Sequence, residues 1–154
     1  LSEDEERMNQ EIEEKLGIAP VRMLYIPENM SFLTYSINKE IRNCIETYEV
    51  NGNNFNIQIF CQNDNDCLIQ RFDGELIDKV ITNTKQMEIP VYKIVDENNK
   101  NMFIAQFEEE EVYYVISSSI DKEEFTKILR NIEKRRVHSR RGCASRGAYR
   151  QRVY

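Results

Sequence analysis

CIETYEVNGNNFNIQIFCQ, residues 44–62, is the stretch that decides the fold class. Cys44–Val50 and Asn54–Gln62 are β-prone runs flanking Asn51-Gly52, the dipeptide that most readily takes the positive φ angles of a type I′ hairpin turn. In the second run Phe55, Ile57, Ile59 and Cys61 fall on one face by alternation, opposed by Asn56, Gln58 and Phe60. A hairpin with one apolar face needs neighbouring strands and a cover, and the rest of the chain supplies candidates for both.

On the C-terminal side, Leu68, Ile69, Phe72, Leu76, Ile77 and Val80 tolerate a helix or strands. Asp73-Gly74 is another hairpin-type pair, and Gly74 would weaken a helix by about 1 kcal/mol, which favours strands on either side of it. Glu88–Val95 leads through Asp96–Asn101 to Met102–Glu108, and Glu109–Glu111 leads to Val112–Ser118. Pro90 cannot donate a ladder hydrogen bond, so it marks an edge or a bulge. The chain then turns helical. Asp121 caps, Glu124 completes a D-x-x-E capping box, and Ile120 is placed to staple to Phe125. Phe125, Ile128, Leu129 and Ile132 make a stripe wide enough to cover a sheet face.

On the N-terminal side, Val21–Ile26 is a short apolar run ended by Pro27, and Phe32, Tyr35 and Ile37 belong to the next extended stretch. Residues 2–16 read as a helix, with Ser2 and Glu5 as a capping box, acids in the first turn and Gly17 as a stop. Its stripe, Met8, Ile12 and Leu16, is narrow: it packs one edge on the domain or trails from an upstream linker. Helix, sheet, helix is an α+β order: an antiparallel β-sheet packed by a C-terminal amphipathic helix, with an N-terminal helix. The divisions are 1–20 as N-terminal helix or linker, 21–133 as the α+β domain, and 134–154 as a basic tail expected to be disordered.

The 154 residues suit one domain, and 40% hydrophobic content is enough to build its core. The net charge of −6 hides a division. Residues 1–133 hold 13 Lys and Arg against all 27 Asp and Glu, a net −14; the tail holds eight Lys and Arg and no acid, a net +8. An acidic body repels nucleic acid and anionic membrane, so only the tail could engage them. No apolar run approaches the roughly 18–20 residues of a membrane span. The chain opens on Leu1, which we read as a cut from a longer one with an anchor or leader upstream.

The single histidine, His138, lies in the basic tail, away from any group that could orient it for Ser-His-Asp or Cys-His chemistry. Zinc-ligand spacing and Gly-rich phosphate loops are missing, so no catalytic, cofactor or metal residues are assigned and no enzyme is expected. Asp64, Asp66 and Asp73 form one acidic cluster and Glu108–Glu111 another, and both lack the EF-hand pattern and read as solvated turns. Of the four cysteines, Cys61 and Cys67 could bridge across a short turn; small half-buried thiols are the plainer reading. A candidate ligand surface is the sheet face opposite the C-terminal helix, where Tyr48, Phe60 and Tyr113 would be left partly exposed.

Tyr25-Ile26-Pro27-Glu28, the turn Asp73-Gly74-Glu75, Phe107 before a run of acids, and Val112-Tyr113-Tyr114-Val115-Ile116-Ser117 leading into Asp121-Lys122-Glu123-Glu124-Phe125-Thr126-Lys127-Ile128 carry a resemblance. From Met23 to Ile132 the pattern resembles a bacterial domain-of-unknown-function family found in extracytoplasmic regions of anti-sigma-factor-like membrane proteins and lipoproteins of Gram-positive bacteria. It departs in carrying Phe107 where a tryptophan is commoner, and in the basic tail. The resemblance implies no catalytic residues. It implies a non-enzymatic extracytoplasmic binding or sensor domain, tethered to the membrane from its N-terminal side, with a protein or small-ligand partner. One alternative is a soluble cytoplasmic module whose tail binds nucleic acid or an acidic partner. Another is a carboxylate-based hydrolase, which needs a Glu or Asp held in the apolar wall of a deep pocket.

Overall fold

The computed structural model describes residues 2–61 and 74–134. A helix α1 (Glu3–Glu11) opens the chain and runs into a π-helical turn (Ile12–Leu16). The strands are β1 (Val21–Met23), β2 (Met30–Asn38), β3 (Asn43–Val50), β4 (Asn53–Cys61), β5 (Glu75–Ile81), β6 (Glu88–Val95), β7 (Asn101–Glu109) and β8 (Val112–Ser118). A second helix, α2 (Lys122–Arg130), precedes the last strand, β9 (Ile132–Lys134).

Among the described residues, seven strands make one antiparallel sheet in the order β2-β3-β4-β8-β7-β6-β5, and β1 pairs with β9 in a second, two-stranded one. The larger sheet is two meanders joined along β4 and β8. The first runs outward-in from β2; the second starts at the far edge with β5 and returns to the centre. Both edge strands carry a bulge, between Phe32 and Thr34 in β2 and between Leu76 and Asp78 in β5. A bulge twists an edge and disfavours pairing with another chain.

The decisive hairpin forms as its sequence dictates. Asn51 and Gly52 take φ of 52° and 82°, and Val50 pairs with Asn53. The turn between β7 and β8 has the same two positive φ angles at Glu110 (55°) and Glu111 (67°), without a glycine to announce it. Alternation then builds one inner face from Cys44, Tyr48 and Val50, Phe55, Ile57 and Ile59, Ile89 and Val91, Phe103 and Ala105, and Tyr114 and Ile116, all buried.

Met8, Ile12 and Leu16 are 2% exposed or less and belong to the same core as that face, so residues 2–16 are an integral helix and not a linker. An i, i+4, i+8 stripe drifts about 40° per step on regular α-helical turns. The wider π turn, bonded i to i+5, rotates less per residue and draws Leu16 back into line. Phe125, Ile128 and Leu129 of α2 are also fully buried. The Phe125 ring centroid lies 6.2 Å from Phe55 and 5.9 Å from Phe103.

Several local expectations are corrected. Ile132 is buried as expected, but in β9; α2 ends at Arg130. Lys134 belongs to β9, paired with Val21, so the folded part reaches one residue past the expected boundary. Asp121 caps α2 by accepting from the Glu123 amide at 3.1 Å. Glu124 does not close a capping box, because its carboxylate accepts the Tyr25 hydroxyl instead. Pro90 stands in β6, neither an edge strand nor a bulge; it pairs with Lys79, one residue before the β6–β7 pairing begins at Val91. A strand before Asp73-Gly74, the Cys67 side of a bridge, the Asp64–Asp73 cluster, His138 and residues 135–154 lie outside the described residues.

Candidate functional site

Of the three aromatics expected on the open face, the structure brings two together. Phe60 of β4 and Tyr113 of β8 are register partners, both half-buried, on the face away from the core. Beside them stand Gln58 and Val115 and, from β7, Glu108 opposite Tyr113 and Gln106 opposite Val115. The Gln106 Oε1 atom is buried without a hydrogen-bond partner among the described residues. Tyr48 is on the other side. It is 5% exposed and pairs with Phe55 in the core, its ring 5.3 Å from Phe32 and 6.4 Å from Phe55. The reason is register: with a two-residue turn at Asn51-Gly52, Tyr48 must face Phe55, and Phe60 must face Asn43.

The same register buries a carboxyl that sequence reading missed. Glu46 pairs with Ile57 on the core face and is 0% exposed. Its Oε1 contacts the Tyr48 hydroxyl at 3.3 Å, and its Oε2 has no hydrogen-bond partner among the described residues. That hydroxyl also reaches Glu5 Oε2 of α1 at 3.3 Å. Burial disfavours the charged form, and Glu46 is pushed up to about 8, offset in part by the Tyr48 hydrogen bond and reinforced by the charge of Glu5. Burial and the two nearby glutamates raise Tyr48 further, so its hydroxyl keeps its proton. Burial and the neighbouring Glu46 also push Cys44 up to about 12.

A polar cleft of about 310 Å³ opens where α1 ends, lined among others by Gly17, Arg42, Cys61, Glu110, Tyr114 and Lys134. Arg42 donates to the Leu16 carbonyl at 2.9 Å, and the Tyr114 hydroxyl donates to the Ala19 carbonyl at 3.1 Å. Lys134 pairs with Glu110 at 2.7 Å and holds its carboxyl below the usual range. Cys61 is a free, buried thiol raised by burial, which disfavours the nucleophilic thiolate. Glu109 and Glu110, in the second acidic cluster, are engaged by Lys85 and Lys134. Among the described residues no group of three or more His, Cys, Asp or Glu could hold a metal ion.

The chain matches the family model described as Domain of unknown function (DUF4367) over residues 20–132. The chain belongs to the DUF4367 family. The DUF4367 match runs from just before β1 to the first residue of β9. It contains Glu46, Tyr48, Phe60 and Tyr113, whereas α1, with Glu5, precedes it. The DUF4367 match supports the domain part of the resemblance stated above. No curated protein and no solved structure matches the chain.

Proposed function

We propose that this DUF4367 chain is a non-enzymatic binding or sensor domain working outside the cytoplasmic membrane, as part of a membrane-anchored regulatory protein or lipoprotein of a Gram-positive bacterium. In this reading α2 and α1 cover the inner face, and the open face of β4, β8 and β7 meets the partner. The observation that carries it is the division of the sheet. One face is filled with apolar side chains, while the other presents Phe60 and Tyr113 half-buried in a row with Gln58 and Val115. Aromatics that are partly covered offer contact area at low entropic cost to a partner. The strongly acidic body suits a solvated domain repelled by anionic lipid, held near a membrane by covalent linkage instead of surface adsorption.

Glu46 is the carboxyl that a hydrolase reading would claim. It is wholly buried and lines neither the polar cleft nor the narrow cleft beside β9, so it offers no surface to a substrate there. Location is tested on the full-length gene product in intact cells with a membrane-impermeant lysine-labelling reagent. Labelling without lysis is expected; labelling that appears only after lysis overturns the extracytoplasmic reading and favours the cytoplasmic module.

A further inference from the structure

Two tyrosine hydroxyls bind α1 to the sheet, and they do so differently. Tyr35 of β2 donates to Glu11 at 2.8 Å, an ordinary O–H···O length. Tyr48 contacts Glu5 and Glu46 at 3.3 Å each, longer than such a bond prefers. A hydroxyl carries one hydrogen and cannot donate to two carboxylates at once. Both contacts become hydrogen bonds only if one carboxyl brings its own proton. Glu46, at 0% exposure, is the one that must, because a carboxylate there would be a buried charge without a counterion among the described residues.

Among the described residues, every element around Glu46 leaves that charge uncompensated. On β3 its same-face neighbours are Cys44 and Tyr48; on β4 its register partner is Ile57; on β2 it is Tyr35, already bonded to Glu11. From β8 the titratable group that feels it is Tyr114. On α1 the nearby acid is Glu5; Arg7 of α1 is committed to Asp4 at 2.9 Å, and Lys15 of the π turn to Glu11 at 3.2 Å.

We propose that Glu46, Tyr48 and Glu5 form a proton-dependent clamp, in which protonated Glu46 donates to Tyr48, Tyr48 donates to Glu5, and loss of the Glu46 proton loosens α1 from the sheet. The order of the relay is fixed by the geometry: Glu46 is the buried end and Glu5 the half-exposed one. The folded carboxyl holds its proton more tightly than a solvated one of 4.5, up to about 8. The fastening it contributes is therefore whole below about 4.5 and is lost as pH rises through that window to about 8. The clamp follows from packing alone and does not depend on where the protein resides.

Hydrogen exchange of the 154-residue chain tests it, with the amides from Met8 to Leu16, in α1 and the π turn, followed at pH 6, 7 and 8 and corrected for intrinsic rates. Opening of α1 should increase by about tenfold from pH 6 to 7 and by about fivefold from pH 7 to 8, while β4 and β8 amides stay protected. Glu46→Gln, a neutral near-isostere, should remove the pH dependence. A corrected opening that is flat in the parent, an equal rise in Glu46→Gln, or a parallel loss in β4 and β8 each overturns the clamp. If Glu46→Gln does not fold, Tyr48→Phe serves: it should cost α1 its protection already at pH 6 with the sheet unaffected, and unchanged α1 protection overturns the proposal.

Discussion

The two helices share one core but are fastened to it differently. Residues 122–130 contribute Phe125, Ile128 and Leu129, all fully buried, with the Phe125 ring seated between Phe55 and Phe103. At its ends Lys122 reaches Asp78 at 3.8 Å, and the Arg130 carbonyl accepts from the Asn83 amide at 2.8 Å. Residues 3–16 contribute a narrower stripe, Met8, Ile12 and Leu16, supplemented by tyrosine–carboxylate contacts to Glu5 and Glu11. Apolar burial does not titrate; carboxylate contacts do. Both helices combine apolar burial with carboxylate contacts, since Glu124 of α2 accepts the Tyr25 hydroxyl; the difference is that α1 is tied through Tyr48 to a carboxyl buried in the core, Glu46.

Phe125→Ala should bring the largest loss, about 3–5 kcal/mol by urea unfolding, since it removes a ring from a fully enclosed site. A loss under about 1 kcal/mol would mean that α2 is not a cover and would erase its side of the comparison. Ile12→Ala should cost about 2–4 kcal/mol if α1 is part of the same cooperative unit. If instead it leaves the midpoint unchanged and only reduces helix content by circular dichroism, α1 melts separately and the two helices differ more than their burial suggests. The caps come last. Asp121→Ala and Ser2→Ala should each cost about 1 kcal/mol, because each side chain accepts one amide at a helix start. Ser2 also sits in a reciprocal box with Glu5, so Ser2→Ala should loosen the clamp end of α1 as well, seen as a loss of amide protection in α1 that Asp121→Ala does not cause.

The strands around Asn51-Gly52, the capping box of α1 and the buried stripe of α2 were legible because each is a local rule acting on neighbours in sequence. The Glu110-Glu111 turn was not, since no glycine marks its two positive φ angles; the strands on either side impose them. For Glu46 and Tyr48 the information was present but unread. A two-residue turn fixes every cross-strand partner of the hairpin, so placing Phe55 and Ile57 inward already placed Tyr48 and Glu46 with them. Glu124 misled in the opposite way: its spacing from Asp121 fits a capping box, yet a tyrosine 99 residues away took the carboxylate.

Sequence alone thus determined the α+β class, the central hairpin and both helices, because periodicity and turn residues are properties of the chain itself. Only the tertiary structure decided that β4 meets β8, that α1 lies on the sheet, and that Tyr48, Glu46 and Glu5 share one hydroxyl. Those contacts join residues far apart in the chain, and their energy depends on exclusion of water by the whole assembled core.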